Sequence, residues 1–384
     1  MARKRRRRGP VRRSNGAGLT ALSLCLTKRL APAEGDAGDA NLAFSPAAIY
    51  AALALLAAGA RGGTLRELLD ALGGESRDAV AAFARRVVDT AAGLQEAVSE
   101  INGCVAAATN NHIGSILDSS SVNAFTSLVV ASAVYFKGKW EVPFTKSHTR
   151  VDKFHRLDGS AVDVPFMRSS RSQLVAVRSG YKVLKLPYRS PAAPPPPPQR
   201  KRASQSKAAD EPDEAADELP KYSMCIFLPD ERDGLAGLVA KIASGPGFWH
   251  YRMPAERVPV HDFRLPKFKL SASGSVMQAL RDDMGIKSAF AAGEADLSGM
   301  AMRDGDEAGT PLHVGDVRHK AVLEVNEEGA MAVATGSYML CGASAVMDQP
   351  ETVDFVADHP FVFFVIEEVS RAIVFVGRVL DPSI

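Results

Sequence analysis

The 384-residue chain has only four cysteines, Cys25, Cys104, Cys225 and Cys341, and no two of them share a paired spacing. That scarcity excludes a disulfide framework and leaves no zinc site, so free thiols in a reducing compartment are expected, with Cys341 exposed in a loop. Long apolar runs are also missing. The longest, Ala47–Ala60, falls short of the ~20 residues that span a bilayer, so no membrane span is expected. With Ser45 as N-cap and Pro46 at the first helical position, the run reads as a buried helix. No His-Glu-x-x-His pair, no Gly-x-Ser-x-Gly elbow and no Gly-rich phosphate loop after a strand occurs. The chain is therefore not read as an enzyme, and neither a cofactor nor a metal is expected.

What is present suits one large globular α+β domain: 46% of residues are apolar and 23% charged, enough to bury a full core. Leu65, Leu68, Leu69 and Leu72 form a helical stripe that Gly73-Gly74 stops, and Thr64 with Glu67 reads as a capping box at its start. Val80, Phe83, Ala84 and Val87 repeat the spacing. Near the other end, Phe361–Ile366 and Ala372–Val376 are β-rich apolar runs that read as a hairpin buried on both faces. Eight Lys/Arg fall within Met1–Arg13, and the formal charge of +2 becomes −6 once they are set aside. This basic arm, residues 1–15, reads as a nuclear localisation signal, a contact for nucleic acid or anionic membrane, or a transit-like segment, since no acid precedes Glu34. The fold itself requires no nucleic acid.

Residues 324–336, Glu-Val-Asn-Glu-Glu-Gly-Ala-Met-Ala-Val-Ala-Thr-Gly, turn from a polar strand end into a run of small residues. As a strand, one face would carry Ala330, Ala332, Ala334 and Gly336, and the other Met331, Val333, Thr335 and Ser337. A face of Ala and Gly can slide over packed core without a clash. The run resembles the hinge of the reactive-centre loop in serpins, with hinge positions Glu327, Glu328, Gly329, Ala330, Met331, Ala332, Val333 and Ala334.

The resemblance to serpins extends over most of residues 41–382. It runs through Asn41-Leu-Ala-Phe-Ser-Pro46, Tyr135-Phe-Lys-Gly-Lys-Trp140 with Pro143-Phe144, Asp158-Gly159, Val164-Pro-Phe-Met167 and Tyr181–Tyr188. It continues through Met224–Pro229, Leu265-Pro-Lys-Phe268, Met284-Gly-Ile286, Ala295–Ser298, His319-Lys320, Val374–Gly377 and Asp381-Pro382. Phe355-Val-Ala-Asp-His-Pro360 and the Asn-Glu-Glu-Gly hinge are similar to plant serpins in particular. The resemblance implies the serpin fold for residues 16–384: helices packed on mixed sheets, with an exposed reactive-centre loop at 330–348. It also implies a shutter of Asn41, Ser45, Ser132 and His319, with Ala48 and Ser132 standing where the family usually has Ser and Asn. Side-chain hydrogen bonds lost there, about 1 kcal/mol each, would loosen the place where the sheet opens. His319 is read as a hydrogen-bonding core histidine.

Two regions depart from the family. Between the helix ending near Thr90 and a segment at 101–117 resembling helix F, strands 1A and 2A and helix E find no room; at mean element lengths they need roughly 25 residues. Strand 3A, placed at Leu128–Phe136, would then become an edge and an aggregation hazard. The second departure is an insertion, 190–219, holding five consecutive prolines and clusters of each charge, which reads as a solvated, disordered loop and a spacer, with an SH3 or WW ligand as the alternative.

A serpin implies a suicide inhibitor: a target serine protease attacks the loop, is acylated, and is trapped as the loop enters the sheet. Counting from either flank puts the scissile bond after Ala343 or Ser344, with Ala345 following. No Lys or Arg lies between Lys320 and Arg371, so an elastase-like target is expected over a trypsin-like one, with a cysteine protease as a further class. The alternatives are a non-inhibitory serpin with a binding or storage role and a non-functional truncated paralogue. The expected location is intracellular, cytoplasmic or nuclear, with extracellular and organellar placement as alternatives.

Overall fold

In the computed structural model of the chain, residues 16–31, 41–88, 113–116, 128–136, 138–189, 221–245, 252–300, 312–328 and 352–384 are described, with 106 and 248 standing alone. The basic arm, the insertion at 190–219, residues 330–348, Cys104, Cys341 and most of the segment expected to resemble helix F lie outside them. Helix α1 (Gly16–Lys28) leads to the short strand β1 (Leu42–Phe44) and then to α2 (Pro46–Gly59), α3 (Gly62–Leu72) and α4 (Arg77–Val88). Next come β2 (Leu128–Phe136), β3 (Arg150–His155), β4 (Ala161–Arg168), β5 (Gln173–Arg178), β6 (Tyr181–Pro187), β7 (Tyr222–Pro229) and α5 (Leu235–Ala243). The remaining strands are β8 (Arg257–Val258), β9 (Val260–Pro266), β10 (Phe268–Ser275), β11 (Val314–Val325), β12 (Val353–Val356), β13 (Phe361–Glu367) and β14 (Ile373–Val379).

The strands form three sheets, ordered β1-β14-β13-β7-β6-β5-β8, β12-β9-β4-β3 and β10-β11-β2. The expected hairpin is β13 with β14, and its continuous apolar sequence follows from the burial of both faces. Val362 and Phe364 pack with the helices, while Phe361, Phe363 and Val365 pack toward the other two sheets. Each such phenylalanine contributes about 2–3 kcal/mol of burial, so this strand joins the two halves of the core. Gly377 of β14 is required there: a Cβ would stand 2.5 Å from the Phe363 ring and 2.7 Å from the Leu42 carbonyl oxygen.

Helix α2 begins as its sequence dictates, with the Ser45 side chain accepting the Ala48 N–H and Pro46 in the first turn. Helix α3 ends at Gly73 in the left-handed region, φ 64°. Its start corrects the capping-box reading. The helix begins at Gly62 after Arg61, two residues before Thr64, and Arg61 makes no side-chain cap. Thr64 Oγ1 instead accepts from the Asp296 N–H at 3.0 Å, and Glu67 Oε2 accepts from the N–H groups of Lys287 and Ser288 at 2.8 Å each. Distant donors held in place by packing outcompete the helix's own first turn for both side chains.

Strand β2 has the bounds expected of it and pairs parallel to β11, Val314 opposite Leu128 through Leu323 opposite Phe136. Among the described residues it has no strand on its other side. Ile113 and Ile116 are buried with Val322 against Val129, Ala131, Ala133 and Tyr135, covering one face of this sheet. No helix among the described residues is long and apolar enough to cross a membrane.

Candidate functional site

Asn326, Glu327 and Glu328, at the start of the expected hinge, follow the end of β11. Trp140, buried and stacked on Tyr188 with centroids 4.5 Å apart, donates its Nε1–H to the Asn326 carbonyl at 2.8 Å. The Phe144 N–H donates to the Glu327 carbonyl at 2.9 Å. The Glu327 carboxylate is itself buried, accepting from Thr149 Oγ1 at 2.7 Å and pairing with Lys267 Nζ at 2.9 Å. Burial alone would raise its pKa, but the bonds from Lys267 and Thr149 outweigh burial and hold it below the ordinary carboxylate range. Glu328 forms an ion pair with Lys146, and its N–H is taken by Asn326 Oδ1 at 3.1 Å.

Residues 329–351 are outside the described residues, so of the hinge positions the structure places Glu327 and Glu328, and it describes none of Gly329, Ala330, Met331, Ala332, Val333, Ala334, Ala343, Ser344 and Ala345. The chain returns at β12, which lies parallel to β9.

Below the hinge, the β2–β11 ladder crosses a small polar cluster. Ser132 stands opposite His319 in register, and His319 Nδ1 lies 3.3 Å from Ser132 Oγ. His319 Nε2 accepts the Ser45 N–H at 2.9 Å, and Ser45 Oγ donates to the Val374 carbonyl at 2.8 Å. The cluster joins β2, β11, β14 and the start of α2. Burial pushes the His319 pKa down to about 4, so the ring is neutral, donating from Nδ1 and accepting at Nε2. Asn41 stands apart. Its Nδ2 donates to the Asp381 carbonyl at 2.6 Å, and its Oδ1 accepts from the N–H groups of Leu380 and Asp381 at 2.7 and 3.1 Å. It fastens the segment at Leu380 and Asp381, and no hydrogen bond among the described residues joins it to Ser45, Ser132 or His319.

Sequence reasoning missed the partners of Glu327 and Glu328. Lys267 lies within the quoted Leu265–Phe268 motif, but Thr149 and Lys146 carried no signal of their own. Cys25 and Cys225 are free, as the cysteine spacing implied, and both are buried.

With this geometry in place, comparison with known proteins gives a consistent result. A family model described as serpin (serine protease inhibitor) matches residues 17–91, 85–195 and 210–382. The first two matched segments overlap at 85–91, beside the first departure, and the only gap between segments, 196–209, lies within the second. The putative serpin-Z8 of Oryza sativa subsp. japonica is 41% identical, over 97% of this chain and 97% of its own. Serpin-ZX of Arabidopsis thaliana is 32% identical, over 90% of this chain and 93% of its own. Among solved structures, Arabidopsis AtSerpin1 in its native stressed conformation superposes with TM-score 0.76 at 29% identity, covering 98% of this chain and all of that one.

Proposed function

The chain belongs to the serpin family and is of the plant type, and from that premise we propose that it inhibits a serine protease by presenting residues 330–348 as bait. The observation that carries this reading is the closed parallel seam between β2 and β11, from whose upper end the chain leaves toward a segment of alternating small residues. The protease serine attacks the carbonyl of Ala343 or Ser344, forming an ester as the peptide C–N bond breaks and the following residue departs as an amine carrying the serine's proton. The freed segment then enters the seam between β2 and β11, with Ala330, Ala332 and Ala334 on its smooth face, and drags the acyl-enzyme with it. Ser45, Ser132 and His319 are the gate of that seam, because separating β2 from β11 breaks the His319–Ser132 contact. Cys341-Gly-Ala-Ser-Ala345 suits an elastase-like pocket. The basic arm supports action inside the cell, in the cytoplasm or nucleus.

Incubation with elastase, chymotrypsin and trypsin followed by denaturing electrophoresis tests the proposal. An SDS-stable adduct with elastase and none with trypsin is expected. Cleavage after Ala343 or Ser344 without any adduct overturns inhibition.

One observation favours a second reading, a non-inhibitory serpin that binds or stores: among the described residues the seam belongs to a three-stranded sheet with β2 at its edge. An apolar edge pairs with other chains. Concentration-dependent association in light scattering, together with cleavage that traps nothing, would support it.

A further inference from the structure

A cavity of about 280 Å³ opens between the start of α1 and the β13–β14 hairpin, on the helical side of the seven-stranded sheet. Leu19 of α1, Phe83 of α4, Met253, and Ile366 and Ile373 of the hairpin give it apolar walls. Phe83, Met253 and Ile366 pack against the helical half of the core yet are only partly buried, so apolar surface faces an open space. At the ~30 Å³ share of a water in the liquid, the volume takes on the order of ten non-hydrogen atoms. That is the size of a small organic molecule.

The charges lining this space do not cancel. Lys185 of β6 pairs with Glu368 Oε1 at 2.8 Å, and the Ser223 hydroxyl donates to the same oxygen. An ammonium carries three donors, and Lys185 spends one of them on Glu368. The neighbouring Glu367 does not line the cavity. Its carboxylate accepts from the N–H groups of Lys221, Val369 and Ser370 at 3.2, 3.1 and 2.6 Å and from the Ser370 hydroxyl at 2.5 Å, so it is consumed in shaping the hairpin turn. Arg371 adds a second cation to the lining, and Glu368 is the one carboxylate there, which leaves a single positive charge over.

Arg371 is also strained. With φ at 59° it is, among the described residues, the one non-glycine in the left-handed region. Glycine would sit there without a steric penalty, so the turn keeps a guanidinium at the cavity against its local conformational preference.

We propose that this cavity binds a small amphipathic organic monoacid. Its apolar body lies among Leu19, Phe83, Met253, Ile366 and Ile373, and its carboxylate is held by Lys185 and Arg371. Glu368 repels a second negative charge, so the site selects a monoanion over a dianion. The site stands whether or not the chain traps a protease.

Titration calorimetry on the full chain at neutral pH tests this with three probes of one shape: 2-naphthoate, the neutral naphthalene-2-carboxamide, and naphthalene-2,6-dicarboxylate. One 2-naphthoate should bind per chain, about tenfold or more tighter than either of the others. No saturable binding at millimolar probe, or equal affinity for all three, overturns the proposal. Thr20→Phe, which puts a ring into the cavity from α1, should abolish binding; binding that survives it belongs elsewhere, the basic arm included, and overturns the site. Lys185→Met should weaken 2-naphthoate about tenfold. Because that change also strips Glu368 of its partner, Arg371→Gly is the second test: it relieves the left-handed strain, so the melting temperature should hold or rise. In that variant 2-naphthoate should weaken about fivefold while the carboxamide is unaffected. Unchanged 2-naphthoate affinity in a folded Arg371→Gly removes the cation from the site and overturns the assignment.

Discussion

His319 Nε2 accepts the backbone N–H of Ser45 at 2.9 Å, a bond that only the unprotonated nitrogen can make. The cluster that closes the seam is therefore built on a neutral histidine, and acid attacks it directly.

Burial lowers the His319 pKa from 6.5 to about 4, so the folded state resists a proton that the unfolded chain takes up readily. The neutral ring's contribution is fully present above about pH 6.5 and is lost as pH falls toward 4, amounting to roughly 3 kcal/mol across that window. Urea unfolding at pH 7 and pH 4.5 should show a steeper decline for the wild type than for His319→Gln. Parallel declines in the two proteins would remove His319 as the cause.

Glu327 ties the chain just past β11 to Lys267 and Thr149 from a buried position. Glu327→Lys places two ammonium groups together where an ion pair stood, and should cost about 3 kcal/mol, reduced by the partial exposure of Lys267. The double variant with Lys267→Glu should recover part of that loss. Chemical unfolding of these two variants and of Lys267→Glu alone checks the cost and the recovery, and additive costs of the two single changes in the double variant would show that the pair is not coupled.

These bonds mark the limit of what the sequence discloses. Leu128–Phe136 could be bounded as a strand because the resemblance places strand 3A there, and β13 was legible because both its faces are buried. Thr64 and Glu67 misled because a capping box is a local signal, and Ser288 and Asp296, far along the chain, supply the donors that decide. The resemblance pointed to His319 as a bonded core residue, whereas the 2.8 Å contact between His359 Nε2 and the Pro229 carbonyl is one that no local pattern discloses. Asn41 shares a motif with Ser45, but four residues along an extended chain carry it away to the C-terminal segment.

Thiol chemistry separates the described cysteines from the other two. Burial pushes the pKa of Cys25 up to about 11 and that of Cys225 up to about 12, so neither is a thiolate at pH 8. Reaction of the native protein with a disulfide reagent should modify at most Cys104 and Cys341, and all four should react in denaturant. Peptide mapping that finds rapid native modification of Cys225 would contradict the burial of β7.

The last prediction fixes the scissile bond and the specificity together. A trypsin-like pocket presents a buried carboxylate, and a loop without a cation leaves that group unpaired, which penalises the reaction by about 10⁴-fold. Under the inhibitory reading, Arg placed at the residue preceding the bond should turn the protein into a trap for trypsin, while Arg one position away should yield little or none. Ala343→Arg and Ser344→Arg are the two tests, because counts from the two flanks of the loop differ by that one residue. Each variant is incubated with trypsin and the adduct's new terminus is sequenced. An adduct with Ala343→Arg alone places the bond between Ala343 and Ser344; an adduct with Ser344→Arg alone places it one residue later. Efficient cleavage of both variants with no adduct from either would show that the chain past Glu328 cannot enter the seam between β2 and β11, and inhibition would fall with it.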